Sequence, residues 1–138
     1  MPLKRPVVDL AIICSDFDES VRFYRDLLGL EVALDIEIPE ETARGARLAP
    51  RGFRQLRLRA GETLIKLVEI DSPPAPRTLD FQAGIRWLTF IIDDLPATVA
   101  RLSRKGVKFL SEPVSAPDAR HVVCAEAPDG LLIELVEV

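Results

Sequence analysis

The segment GETLIKLVEI, residues 61–70, returns at the end of the chain as DGLLIELVEV, residues 129–138. A decapeptide that recurs with its apolar positions intact marks a fold built from two copies of one unit. The rest of the sequence follows one order twice. Residues 7–14, VVDLAIIC, read as a buried strand, β-branched and apolar with a single charge, Asp9. Ser15 or Asp16 caps the next segment, and Asp16 with Glu19 has capping-box spacing. Phe17, Val21, Tyr24 and Leu28 then fall on one helical face, and Gly29 closes it. Leu30, Val32, Leu34, Ile36 and Ile38 alternate as a half-buried strand. Residues 39–52, punctuated by Pro39, Gly45, Pro50 and Gly52, read as the longest irregular stretch. Leu56, Leu58 and Ala60 alternate with Gln55, Arg57 and Arg59 in a third strand, and residues 63–70 give a fourth.

A proline-rich link containing Pro73, Pro74 and Pro76 separates the halves. Residues 85–92 read as a strand, and Asp94 caps a helix whose apolar face is Leu95, Val99 and Leu102. Gly106 ends that helix. Short strands are expected at 107–110 and 121–126, followed by an Asp129-Gly130 hairpin turn and a final strand. Aligning the halves places Asp9 on Trp87, Gly29 on Gly106 and Lys66 on Glu134. The expected organisation is one α+β domain over residues 1–138. It comprises a first βαβββ module at 5–71, a linker at 72–80 and a second βαβββ module at 81–138.

Composition narrows the function. Hydrophobic residues make up 48% and charged residues 29% of the 138, which is globular composition. No apolar run approaches the roughly 20 residues of a membrane span, and no secretory leader is recognisable. A net charge of -4 argues against a nucleic-acid partner. Cys14 and Cys124 lie inside apolar runs without CxxC spacing, which fits reduced thiols in a cytoplasmic protein. His121 is the only histidine, so no multi-histidine metal site is available within one chain. Nucleotide-loop and zincin motifs are absent.

The stretches VVDLAIICSDFDESVRFYRDLLGLEV, GIRWLTFIIDDLPATVARLSRKGVKFL and APDGLLIELVEV resemble the vicinal oxygen chelate superfamily. That group includes glyoxalase I, bleomycin-resistance proteins, methylmalonyl-CoA epimerases and extradiol dioxygenases. The resemblance implies two βαβββ modules pairing into an eight-strand cup, usually within a homodimer. It also implies metal ligands, commonly His and Glu, on the first and last strand of each module. Carried over residue by residue, those four positions fall on Asp9, Lys66, Trp87 and Glu134. Only Glu134 keeps the common ligand type. Asp9 is shorter, the Lys66 ammonium has no lone pair, and Trp87 has none to donate.

The quartet therefore reads either as a remodelled ligand pocket or as a plugged cavity. In the pocket, Trp87 is a stacking floor and the charges are polar anchors. Trp87 shares parity with Thr89 and is expected to face the cup. Lys66 is expected to replace the charge of an ion, so no cofactor is expected. A divalent metal on Asp9 and Glu134 is the lesser alternative. Glu134 and His121 are the candidate acid–base groups, although His121 also fits a surface position at a strand end. Arg44, Arg47, Arg51, Arg54, Arg57 and Arg59 crowd a segment with no acidic residue from 43 to 61. That segment reads either as a gate for anions, with Arg57 and Arg59 as the contacts, or as a solvated strand edge. The expected function is metal-free binding of a small organic ligand, anionic or aromatic. The alternative is a divergent metal-dependent lyase, isomerase or dioxygenase.

Overall fold

The computed structural model describes every residue, Met1–Val138. Its contacts divide the chain into two units, Met1–Pro76 and Arg77–Val138. No helix is long and apolar enough to cross a membrane.

The first unit contains β1 (Leu10–Ile13), α1 (Phe17–Val21), β2 (Glu31–Ile38), α2 (Glu40–Gly45), β3 (Phe53–Ala60) and β4 (Thr63–Glu69). Its mixed sheet has the order β1-β4-β3-β2, with β1 and β4 parallel. Asp16 starts α1 as expected, its Oδ1 accepting from the Glu19 N–H at 3.1 Å. The helix then widens without a break into π-helical turns over Arg22–Leu27. This widening brings Phe23 and Leu27 to the buried side beside Phe17, Val21 and Tyr24. The 3.6-residue spacing had singled out Phe17, Val21, Tyr24 and Leu28; Leu28 is only half-buried, and Leu27 takes the buried place instead. Ile65, Leu67, Leu56 and Leu58 lie under α1, each nearly inaccessible to solvent. Burying each such side chain contributes about 1.5–3 kcal/mol before entropy is counted.

Two features of this unit depart from expectation. Residues 39–52 are not irregular throughout, because α2 occupies the front of the stretch. Its Ala43 is buried against Phe53 and Val68, with Ile38, Ala49 and Ile70 around them. The alternation in β2 is also interrupted. Val32 pairs with Leu58 but Leu34 pairs with Arg57, so an irregularity at Ala33 puts the two on opposite sides of the sheet.

The second unit contains β5 (Trp87–Ile91), α3 (Leu95–Arg104), β6 (Val114–Ala116), β7 (Ala119–Glu126) and β8 (Leu132–Glu137). Its sheet has the order β5-β8-β7-β6, with β5 and β8 parallel. Asp94 caps α3 by accepting from the Ala97 N–H at 2.9 Å. Leu95 and Leu102 are buried, as are Val123, Ala125, Ile133 and Leu135 of the sheet. Residues 107–110 do not form the expected strand. Phe109 makes one isolated bridge to Ala125, and the edge strand is β6 instead.

The repeat seen in sequence is a repeat in register. Ala11 stands opposite Lys66 in the first parallel ladder, and Thr89 stands opposite Glu134 in the second. Each unit is a βαβββ module whose first helix covers one sheet face, and the same position on the opposite face carries Lys66 in one and Glu134 in the other.

Candidate functional site

Alternation along the first sheet sorts its residues cleanly. Ile12, Ile65, Leu67, Leu56 and Leu58 face α1, whereas Ala11, Lys66, Arg57 and Gln55 take the other side. Arg57 is the direct cross-strand neighbour of Lys66 on β4 and of Leu34 on β2. Asp9, two residues before Ala11, accepts from the Leu64 N–H at 2.9 Å through Oδ1. Its Oδ2 lies 3.9 Å from the Lys66 ammonium, and both side chains are about three-quarters covered. Arg57 donates through Nε to Gln55 Oε1 at 2.6 Å. Gln55 is buried. Arg59 stands further along the same side, opposite Glu31, and is exposed. Phe53 and Val68 share this side at its other end, where α2 covers them.

Arg54 falls on the opposite side and is engaged there. Its guanidinium makes two hydrogen bonds to Asp35, at 3.0 and 2.8 Å, and lies 4.8 Å over the Phe17 ring. The hydrogen-bonded Arg54 holds the Asp35 carboxyl below its ordinary range. Arg51 lies 3.7 Å from Asp71. The arginine-rich segment is thus not one electrostatic surface. Arg57 and Arg59 are the two of β3 that share a side with Lys66.

In the second sheet, Trp87, Thr89, Cys124 and Glu134 share the side away from Leu88, Phe90, Ile133 and Leu135. Trp87 is 49% exposed, and Thr89 and Ile91 on the same side of β5 are also exposed, whereas the cross-strand neighbour of Trp87, Leu132, is buried. The Thr89 hydroxyl donates to Glu134 Oε2 at 2.5 Å. Cys124 stands directly opposite Glu134. Burial pushes the Cys124 thiol up, the Glu134 charge pushes it further, and Arg86 partly opposes both.

His121 lies on the other side of this sheet, sharing parity with Val123 and Ala125 as the sequence suggested. Its Nδ1 is buried without a hydrogen-bond partner. Its cross-strand neighbour Glu137 accepts from the Leu95 N–H at 3.1 Å, at the start of α3. The two acid–base candidates, Glu134 and His121, therefore occupy opposite faces of one sheet and do not meet. Gln55, Thr89 and Cys124 belong to these faces although nothing in their sequence pattern marks them as site residues. The parity of 55, 57 and 59 was visible, but a bond between Gln55 and Arg57 requires side-chain geometry. Within either unit, no three His, Cys, Asp or Glu side chains cluster at one point.

Comparisons with known proteins bear on this arrangement. A family model described as the Glyoxalase/Bleomycin resistance protein/Dioxygenase superfamily matches residues 7–135. The chain is 32% identical over 133 residues to the Escherichia coli protein YaeR, covering 96% of each. The structure is similar to that of a glyoxalase family protein from Bacillus cereus, with a TM-score of 0.79 at 20% identity, covering 99% of this chain and 95% of that one. It is also similar to TnmS3, an antibiotic-binding protein from Streptomyces sp. CB03234, with a TM-score of 0.68 at 22% identity, covering 99% and 98%. At those identities the two structural matches establish the fold alone.

Proposed function

This chain belongs to the glyoxalase/bleomycin resistance protein/dioxygenase superfamily, and from that premise we propose that it binds a small organic ligand, anionic or aromatic, without a metal ion. The observation that carries this reading is the Lys66–Asp9 pair, with the ammonium 3.9 Å from the carboxylate. The superfamily resemblance would put a metal-ligating side chain at position 66. An ammonium there has no lone pair to offer, and its positive charge disfavours a cation at close range. The equivalent pair in the second unit offers one carboxylate, Glu134, whose Oε2 already accepts from Thr89, and an indole without a donor lone pair at Trp87. This donor set suits a divalent metal poorly.

Binding chemistry suits the same residues better. The Trp87 ring gives a flat apolar surface, half open to solvent. Lys66 and Arg57 give positive charge beside apolar neighbours Leu34 and Ala11. That an antibiotic-binding protein shares the fold supports a small-molecule ligand. Cys14 and Cys124 form no disulfide, which fits a cytoplasmic location.

The test uses protein purified without chelator or added metal. Elemental analysis should find no stoichiometric divalent ion. Titration with benzoate or benzamide should quench Trp87, the single tryptophan. One tightly bound ion per chain would overturn the metal-free reading and favour a lyase, isomerase or dioxygenase.

A further inference from the structure

Two arginines of β3 are held by hydrogen bonds of opposite electrical consequence. Arg54 is bidentate to a carboxylate, Asp35, which cancels its charge. Arg57 is bound through Nε to the amide oxygen of Gln55, which orients the guanidinium and cancels nothing. Gln55 is buried, so its oxygen is a fixed acceptor and not a wandering surface group. With Nε occupied, the Nη1 and Nη2 donors are the part of the guanidinium left to face a ligand. Lys66 is the direct cross-strand neighbour of Arg57, and Asp9 is the carboxylate beside it. Two cations against one carboxylate leave one positive charge, set on a sheet face between Leu34 and Ala11. A charge so placed is costly unless something anionic arrives to meet it.

We infer that Arg57 and Lys66 form an oxyanion site on the first sheet, with Gln55 as its positioning residue. The ligand chemistry is a planar or tetrahedral oxyanion on an apolar body: an organic carboxylate or a phosphate monoester. The two Nη donors match two oxygens of either group end-on, and Lys66 adds a point charge from the side. The neutrality of Gln55 is the specific requirement. A glutamate there would hold the same Nε through the same geometry and remove the net charge that attracts the ligand. This inference rests on the small-ligand reading above and names the group that such a ligand must carry.

Calorimetric titration of the full chain tests it with benzoate, phenyl phosphate and the neutral analogue benzamide. Benzoate or phenyl phosphate should bind more tightly than benzamide, and the stronger of the two anions identifies the oxyanion. Raising salt should weaken the anion and leave benzamide unchanged. Arg57→Ala should weaken the anion by about tenfold or more. Gln55→Glu and Gln55→Met then separate positioning from packing. Gln55→Glu keeps an acceptor for Nε, so it should melt no lower than wild type, yet lose about tenfold or more in anion affinity and lose the salt dependence. Gln55→Met loses the hydrogen bond that orients Arg57 but adds no charge, so it should melt lower, weaken the anion by about threefold to fivefold, less than Gln55→Glu, and keep the salt dependence. If Gln55→Glu keeps wild-type anion affinity, or Gln55→Met loses more than Gln55→Glu, the neutrality of Gln55 is not what the site requires and the inference is overturned. Anion binding indifferent to Arg57→Ala overturns the site while leaving the small-ligand reading intact. If none of the three compounds binds, the site and the reading beneath it fail together.

Discussion

The Thr89 hydroxyl donates a hydrogen bond to Glu134 across the parallel β5–β8 ladder, at the register position that Ala11 and Lys66 occupy in the first sheet. One carboxylate oxygen is thereby tied to the strand beside it. On the other flank of Glu134 stands Cys124, half-buried on β7. The thiol is a built-in reporter of the charge on that face.

Burial chiefly, and Glu134 secondarily, hold the Cys124 thiol above its ordinary value, against a smaller lowering by Arg86. Alkylation of native protein by iodoacetamide, followed by mass spectrometry of the Cys124 peptide, should therefore reach half-maximal rate at higher pH than a free thiol. Glu134→Gln should move that midpoint down and Arg86→Gln should move it up. Because the folded value is the raised one, the stability this group contributes is complete below the unfolded thiol's value and is lost as pH rises through the folded value. Cys14 is 1% exposed and should stay unmodified until the protein unfolds. A midpoint unmoved by Glu134→Gln would mean that Glu134 does not face the thiol.

Gly130, at φ +85°, lies under the backbone of Arg77, whose N–H donates to the Asp129 carbonyl at 2.9 Å. A Cβ added at Gly130 would overlap the Arg77 carbonyl, which is backbone and cannot swing aside. Gly106 has a similar φ of +90° but open space around its added Cβ. Gly106→Ala should then cost about 1–2 kcal/mol from backbone strain alone. Gly130→Ala should cost about 2 kcal/mol more, because strain and overlap add. Urea unfolding of the two variants measures the difference, and equal costs would show that the Arg77 segment is free to move away.

Much of this architecture is legible in the sequence because it is written twice. The pairing of Lys66 with Glu134, made from two similar decapeptides, is the pairing that the two parallel ladders show. Capping residues Asp16 and Asp94 are legible because a cap is a local contact. What escaped is what depends on partners distant in sequence. The six residues of α2 are too few to show a period, and their flanking Pro39 and Gly52 resemble loop punctuation. The edge strand at Val114–Ala116 takes its register from β7, not from its own composition. Alternation told which residues share a face with His121, but not that this face is the one covered by α3. Alternation paired Arg57 with Arg59, whereas the place of Arg54 on the other side and the unlike partners Gln55 and Asp35 come only from the structure.

The Arg54–Asp35 pair gives a prediction whose sign is fixed by pH. The hydrogen bond from Arg54 is the main cause of the low Asp35 value, with the Coulombic attraction of Arg54 also lowering it and burial opposing. A carboxyl held below its unfolded value adds stability that is present above about pH 4 and lost as pH falls through the folded value. Both side chains are more than a third exposed, at 37% and 46%, so solvent screens the pair and its worth is small. Asp35→Asn should cost about 0.5–1 kcal/mol at pH 7. The cost of the same variant should shrink as pH falls through the folded value of Asp35, and should be less in 1 M salt than in dilute buffer. Arg54→Ala should cost more than Asp35→Asn at pH 7, because the guanidinium also leaves the Phe17 ring, 4.8 Å from its centroid. That excess should persist at acid pH, where the carboxylate is gone but the ring is not. Thermal melts of wild type, both single variants and the double variant at pH 2 and pH 7 resolve the two contributions. An excess that disappears with the carboxylate charge would show that Arg54 serves Asp35 alone and that its place over Phe17 contributes nothing.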